Sequence, residues 1–332
     1  MLCCTFLLMG KTMAQEIPLL SNISARNNIT LNGKWSYIVD PLENGYYDYR
    51  LMPFKNNGFF ENKKFNTTDL TEYNFATSAT MDIPSDWNSK DERLFFYEGT
   101  VWFEKDFNYK KSSQTKGILH FGAVNYDAKV YVNGKLAGTH VGGYTPFNFD
   151  VTNLLVDGNN FVVVKVDNKR HKDNVPTVNM DWWNYGGITR DVTLAQVPNT
   201  YIEDYLVQLD KKDRTKISGW VKLNSETANQ SVSITIPELK IKKSITTDAK
   251  GMAYFEIKTN PVLWTPEKPK LYDVTIDKAD ESIVDKIGFR TIETKGKEIL
   301  LNGKKVFLRG ISIHEEAPFR SGRGWSAEDA VT

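Results

Sequence analysis

The sequence predicts a mostly β protein: two antiparallel sandwiches, then the opening strand of a further domain. Three observations carry this. Apolar and polar residues alternate with period two along much of the chain, and few stretches repeat at the helical period. Asn-Gly pairs stand between alternating segments, where two-residue hairpin turns need them. The length, 332 residues, exceeds that of a usual single domain.

The elements follow in order. Met1 to Ala14 holds a short apolar core, with small residues at Thr12 and Ala14. This is the pattern of a secretory leader cleaved after Ala14, although no Lys or Arg precedes the core. The expected location is therefore secreted or periplasmic. The segment is too short to span a bilayer. Both cysteines, Cys3 and Cys4, lie inside it. The processed chain would then have no disulfide, cysteine–zinc site or cysteine nucleophile. Asn22, Asn28, Asn66 and Asn229 stand in N-x-S/T sequons, a pattern that also arises by chance.

From about residue 25 to 197 the chain reads as one large antiparallel sandwich. Val101–Phe107 and Gly117–Phe121 are strand segments. Lys129–Val132 alternates and ends on the Asn133-Gly134 turn. Phe161–Asp167 is a continuous β-branched run, suited to a strand buried on both faces or in a sandwich core. A linker falls near Pro198-Asn199-Thr200. Over 199–291 the alternation becomes strict: Ile217, Gly219, Val221 and Leu223, then Val232, Ile234 and Ile236, then Ala253, Phe255 and Ile257, then Tyr272, Val274 and Ile276. Short strands of this kind predict an immunoglobulin-like sandwich. A second boundary falls near Thr291. After it, the Asn302-Gly303 turn feeds an apolar segment that ends on His314, Glu315 and Glu316. This reads as the first strand of a new domain over 292–332, with polar residues at its carboxyl end.

Composition narrows the partners. Lys and Arg total 42 against 41 Asp and Glu, with no basic run, so nucleic acid is not expected. Aromatics reach 12%, including 8 Trp and 15 Tyr. Most such rings fill sandwich cores, but a neutral, aromatic-rich β protein also suits carbohydrate, whose C–H faces stack on rings. The strongest local signal is Asp181-Trp182-Trp183-Asn184-Tyr185-Gly186-Gly187-Ile188-Thr189-Arg190. The glycines allow a tight backbone path. Trp182, Trp183 and Tyr185 offer stacking surface, and Asp181 can accept sugar hydroxyls. The competing structural reading makes this a loop that closes the first sandwich, with Arg190 holding loop carbonyls. For Arg190 and the glycines that reading is preferred.

This segment resembles the loop that family 2 glycoside hydrolases extend from their first sandwich toward the active site. Four other segments agree in the right order. Ile83–Trp87 with Tyr97–Phe103 is similar to the family's early signature. Val132–Gly138, Gly142–Phe147 and Asp150–Thr152 resemble its sugar-binding-like sandwich. Leu263–Tyr272 resembles the end of its immunoglobulin-like domain, and Gly288–Glu293 through Leu308–Glu315 the approach to its catalytic barrel. The resemblance covers nearly the whole chain. It implies a galactose-binding-like jelly roll, an immunoglobulin-like sandwich and a (β/α)8 barrel. It also implies that His314 and Asp181 contact the sugar in the −1 subsite, with Trp182, Trp183 and Tyr185 as possible parts of the same loop. No cofactor and no metal is implied.

Glu315 and Glu316 are not a catalytic pair. Retaining glycosidases place two carboxyls about 5–5.5 Å apart across the bond, whereas neighbours on an extended segment point to opposite sides. His-Glu-Glu-Ala-Pro is not a zinc-protease motif, because Pro318 stands where the second His belongs. In the family, the acid/base and nucleophile are glutamates on later barrel strands. Eighteen residues follow His314 in this 332-residue chain, and a barrel needs roughly 200 or more. The chain alone is therefore expected to be inactive, with no catalytic residue of its own, and residues 297–332 to be poorly ordered or aggregation-prone. The leading expectation is the N-terminal part of a retaining exo-β-glycosidase of β-glucuronidase or β-galactosidase type. The alternative is a non-catalytic carbohydrate-binding or scaffold protein made of two sandwiches. Carbohydrate is the expected partner in both, membranes are not, and self-association through the accessory domains is open.

Overall fold

The computed structural model describes residues 17–45, 50, 74–175, 177–180, 183–312 and 327–331. The leader read at 1–14, Asp181, Trp182 and His314 lie outside the described residues. So do Glu315 and Glu316.

Two sheets form the first sandwich. The larger has six strands, in the order Ala79–Ile83, Gly33–Val39, Thr100–Tyr109, Gly158–Asp167, Asp127–Val132 and Lys135–Val141. The smaller has four, in the order Asn28–Thr30, Val192–Pro198, Thr115–Phe121 and Phe147–Asp150. The β-branched run sits centrally, and its side chains explain its composition. Val162, Val164 and Val166 point between the sheets, against Trp35, Phe103, Phe121 and Phe149. Val163 points the other way, into a second cluster with Ile38, Phe75, Trp102 and Tyr131. A strand buried on both faces favours apolar residues at successive positions, and Lys165 within it is buried in an ion pair with Glu43. The hairpin beside it turns at Asn133 (φ 51°) and Gly134 (φ 73°), the left-handed pair that a type I′ turn requires.

The outer face of the smaller sheet is half covered. Ile118, Ala195 and Val197 lie beneath Leu20, with Ile17 and Ile23 packed alongside. Asn148 pins this N-terminal strap: its Oδ1 accepts from the Leu20 amide at 2.8 Å, and its Nδ2 donates to the Pro18 carbonyl at 3.2 Å.

The second sandwich has a three-stranded sheet (Ile202–Leu209, Lys216–Leu223, Met252–Lys258) and a four-stranded one (Ile241–Thr246, Ser231–Ile236, Tyr272–Lys278, Glu281–Ile287). Its core follows the sequence alternation closely: Ile217, Val221, Val232, Ile234, Ile236, Ala253, Phe255, Val274 and Ile276 are all buried. The Ile241–Thr246 strand stays with its sequence neighbour because Pro237–Leu239 and Lys240 (φ 54°) form a short turn that cannot carry the chain to the opposite sheet.

A buried ion pair joins the two sandwiches. Arg26 and Glu281 meet with side chains only 1% and 8% exposed. Arg26 also donates to the Ser21 and Ile202 carbonyls, and Glu281 accepts from the Ile202 amide. Burial lowers the Arg26 pKa while Glu281 opposes the change. Burial raises the Glu281 pKa while Arg26 opposes it. Such a pair persists because each charge has several partners.

Beyond residue 291 the chain forms a small meander, Ile292–Lys295, Glu298–Leu301 and Lys304–Val306, turning at Asn302 (φ 52°) and Gly303 (φ 76°). The expected turn is present, but the strand after it is shorter than the apolar segment suggests. Residues 307–312 belong to no strand, and Phe307, Leu308 and Ile311 are exposed. The register gives the reason. Leu301 pairs with Lys304 and Ile299 with Val306, and the Glu298–Leu301 strand offers no ladder beyond its own first residue.

Candidate functional site

The candidate loop is built on two segments that zip together. Ser85 donates its amide to the Ile188 carbonyl at 2.9 Å, and Trp87 donates to Gly186 at 2.8 Å. Asp86 starts the short helix Trp87–Lys90 by accepting from the Ser89 amide at 2.7 Å. Trp87 follows it into the core, fully buried. Gly186 lies flat on that indole: a Cβ there would come within 2.1 Å of the Trp87 ring. Gly187 (φ +144°) lies against the Ser85 carbonyl, which a Cβ would approach to 2.6 Å. The two glycines are therefore packing requirements, as their structural reading supposes. Arg190 donates to the Thr189 carbonyl at 3.0 Å, at the root of the loop.

Two buried asparagines fix the rest. Asn88 donates Nδ2 to the carbonyls of Leu94, Phe95 and Tyr97 at 3.0–3.2 Å, and accepts from the Gly186 amide at 2.8 Å. Asn168 and Asn184 donate to each other's carbonyls at 3.1 and 2.8 Å, while Asn168 Oδ1 accepts from Gly99 at 2.9 Å. These bonds hold the 92–99 turn against the 183–188 segment. The Tyr97 hydroxyl donates to the Thr100 carbonyl at 2.9 Å, and burial first, then Asp167, holds its pKa far above the usual phenol value.

This scaffold presents an aromatic cluster. The Trp183 indole N–H donates to the Phe95 carbonyl at 3.2 Å. Its ring centroid lies 4.7 Å from Phe95 and 5.5 Å from Phe96, whose own rings meet edge-on at 4.9 Å. Phe96 is 81% exposed. A cavity of about 290 Å³ opens beside these rings, also lined by Met180 and by the Glu98–Arg170 ion pair at 2.8 Å. Ring faces and a charged pair in one concavity suit a polyhydroxylated ligand: C–H faces stack while hydroxyls reach the charges.

Of the sequence-derived site residues, Trp183 sits in this cluster and Tyr185 is half-buried further along the same segment. Asp181 and Trp182, just before it, and His314 fall outside the described residues. Sequence reasoning missed Asn88, Asn168, Phe95 and Phe96. Two adjacent phenylalanines in a turn, outside any strand pattern, were the available signal for the rings. The asparagines gave none.

Comparison with known proteins agrees with the fold. The profile of the "Glycosyl hydrolases family 2, sugar binding domain" matches residues 29–198, and that of "Glycosyl hydrolases family 2" matches residues 200–290. A β-galactosidase of Thermoanaerobacter pseudethanolicus is 30% identical over 320 residues, covering 90% of this chain and 40% of that protein. A β-glucuronidase of Felis catus is 26% identical over 345 residues, covering 91% of this chain and 50% of that one. Among solved structures, the β-glucuronidase of an uncultured Clostridium sp. superposes with a TM-score of 0.70 at 28% identity, covering 93% of this chain and 52% of that one. The chain thus spans about half the length, or less, of these relatives.

Proposed function

Because the chain belongs to glycoside hydrolase family 2, we propose that it supplies the accessory sandwiches and the opening barrel strand of a secreted, retaining exo-β-glycosidase. In this reading a jelly roll spans 25–197, an immunoglobulin-like sandwich 199–291, and the start of the barrel 292–332. Asp181 reaches the −1 sugar from the first sandwich, and His314 meets it from the end of the 307–314 segment. That segment becomes the first barrel strand once the rest of a barrel pairs with it, and its carboxyl end is where the site residues of such barrels stand. Trp182, Trp183 and Tyr185 shape the wall beside it.

The observation that carries this reading is the anchoring of the loop. Asn88, Asn168 and Gly186 tie the segment that follows Asp181 to the sandwich core. In this reading Asp181 takes its position from that scaffold, so that its hydrogen bond is in place when charge develops on the sugar ring. Hydrolysis itself follows the double displacement of retaining glycosidases. One glutamate attacks the anomeric carbon as the other protonates the leaving oxygen, and the second then activates water to release the sugar. In the family both glutamates belong to later barrel strands.

The substrate is a β-glucuronide or a β-galactoside. Asn184-Tyr185 before the glycines, together with Gly142–Phe147, favours the glucuronide. The test assays the full-length product of the gene that encodes this chain on p-nitrophenyl β-glucuronide and p-nitrophenyl β-galactoside, following the first sugar released by NMR. Turnover of one of them with a β-configured initial product is expected. An α-configured product, or no turnover of either, overturns the proposal.

A further inference from the structure

The smaller sheet of the first sandwich has a second concavity, on its outer face. The N-terminal strap covers the apolar half of this face, over Ile118, Ala195 and Val197. Beside it the face turns polar. Thr30 pairs with Thr193, and Thr193 with His120, so three polar side chains cross three strands in one row. Asn32, Arg190 and Asp191 wall the far side, and the space enclosed is about 530 Å³. It shares no lining residue with the cavity beside Trp183.

His120 is the unusual member. It is only 9% exposed, yet its Nδ1 is buried with no hydrogen-bond partner among the described residues. A buried polar nitrogen left unsatisfied costs about 1–3 kcal/mol, so an apolar residue would serve a purely structural sheet face better. Burial lowers the pKa of the ring against the opposing pull of Asp191. The ring is therefore neutral at pH 7 and has one donor and one acceptor.

We propose that this cavity binds one uncharged pyranose unit through its hydroxyls, as a carbohydrate site separate from the Trp183 loop. The lining matches that chemistry. Threonine hydroxyls both give and accept hydrogen bonds, as sugar hydroxyls do, and the neutral imidazole, with Nδ1 buried, has Nε2 to offer as either donor or acceptor. Arg190 and Asp191 balance each other in charge. Asn32 holds Asp191 in place by donating to its Oδ1 at 2.9 Å, while its own Oδ1 accepts from the Val192 amide at 3.0 Å. The threonine methyls and Ile23 leave apolar surface for a C–H face. Asp191 cancels the Arg190 charge and the neutral imidazole adds none, so the cavity offers a phosphate or uronate no net positive charge.

The test follows the imidazole nitrogens of the four histidines by NMR while the chain is titrated with methyl β-D-glucopyranoside, methyl β-D-galactopyranoside or methyl β-D-glucuronide. His120→Phe assigns the reporter. Saturable shifts at His120 are expected with at least one uncharged glycoside and not with the glucuronide. By calorimetry, Thr193→Val keeps a β-branched strand residue but loses the hydroxyl, and weakens binding roughly five- to tenfold. In Trp183→Ala the His120 shifts saturate at the same glycoside concentration, so this site-resolved outcome is independent of the proposed glycosidase activity. Circular dichroism confirms that each variant is folded. Absence of any His120 shift, shifts with the glucuronide alone, or full affinity in both Thr193→Val and His120→Phe overturns the proposal.

Discussion

The two sandwiches solve the same packing problem with different materials. The second is mostly aliphatic and strictly alternating, with Ile217, Val221, Val232, Ile234 and Val274 all fully or almost fully buried beside three rings, Phe255, Tyr272 and Phe289. The first buries Trp35, Trp87, Trp102 and Tyr126, together with Asp86, Asn88, Asn125, Asn160 and Asn168. Branched aliphatic residues suffice to close a sandwich. Buried amides and indoles do something more: they tie irregular segments to the core by bonds of fixed direction. In the first sandwich those segments are the turn at 92–99 and the loop at 183–188. The difference teaches where shape is being specified rather than merely stabilised.

The largest expected effect lies where the two regions meet. Arg26→Ala leaves Glu281 buried without its cation and should cost about 3–5 kcal/mol in urea unfolding. Replacing both partners, as Arg26→Met with Glu281→Leu, should cost much less. Equal losses in the single and double variants would show that the charge is not what matters. Next comes Asn88→Ala, expected to cost about 2–3 kcal/mol, because it takes one donor from each of three carbonyls and leaves the Gly186 amide without its acceptor. It should also change the fluorescence of Trp183, whose indole donates to the freed Phe95 carbonyl. Ile234→Val, in the second sandwich, removes one methylene and should cost about 1 kcal/mol without altering that signal. A change in Trp183 emission there would break the contrast between the regions.

The smallest effect is a pH dependence in the first sandwich. Burial, with Asp106 nearby, pushes the Glu104 carboxyl up to about 7. The folded state therefore holds this proton more tightly than the unfolded one, whose pKa is near 4.5. The contribution to stability is fully present below pH 4.5 and is lost as pH rises toward 7. Glu104→Gln should be more stable than the parent at pH 8, by about 1 kcal/mol once solvent screening is allowed for, and no more stable at pH 4. Thermal melts at the two pH values check the sign.

What the sequence disclosed follows from the range of the forces involved. The Phe161–Asp167 run and the turns at Asn133-Gly134 and Asn302-Gly303 could be read because alternation and turn chemistry act between neighbours. The strict pattern from Ile217 to Ile276 marked the second core for the same reason. Asn88 gave no signal, because its role depends on Gly186, 98 residues away. The strap over Ile118 was hidden likewise, since its anchor on Asn148 spans 128 residues. The segment after Val306 reads as strand locally, but a strand extends only as far as its partner's ladder. At the candidate site, Trp183 stood out as a ring in a glycine-rich loop. Phe95 and Phe96, which it packs against, became part of the site only through the fold.

The central claim is that the first sandwich reaches the substrate and the second does not. The most direct measurement compares kcat/KM for the preferred p-nitrophenyl glycoside in two variants of the full-length gene product. Asp181→Ala alters the proposed sugar contact, and Trp220→Ala alters a half-buried aromatic on the outer face of the second sandwich. The account predicts a loss of roughly a hundredfold or more for Asp181→Ala, with Trp220→Ala essentially unchanged. Comparable losses in both variants, or none for Asp181→Ala, would contradict it.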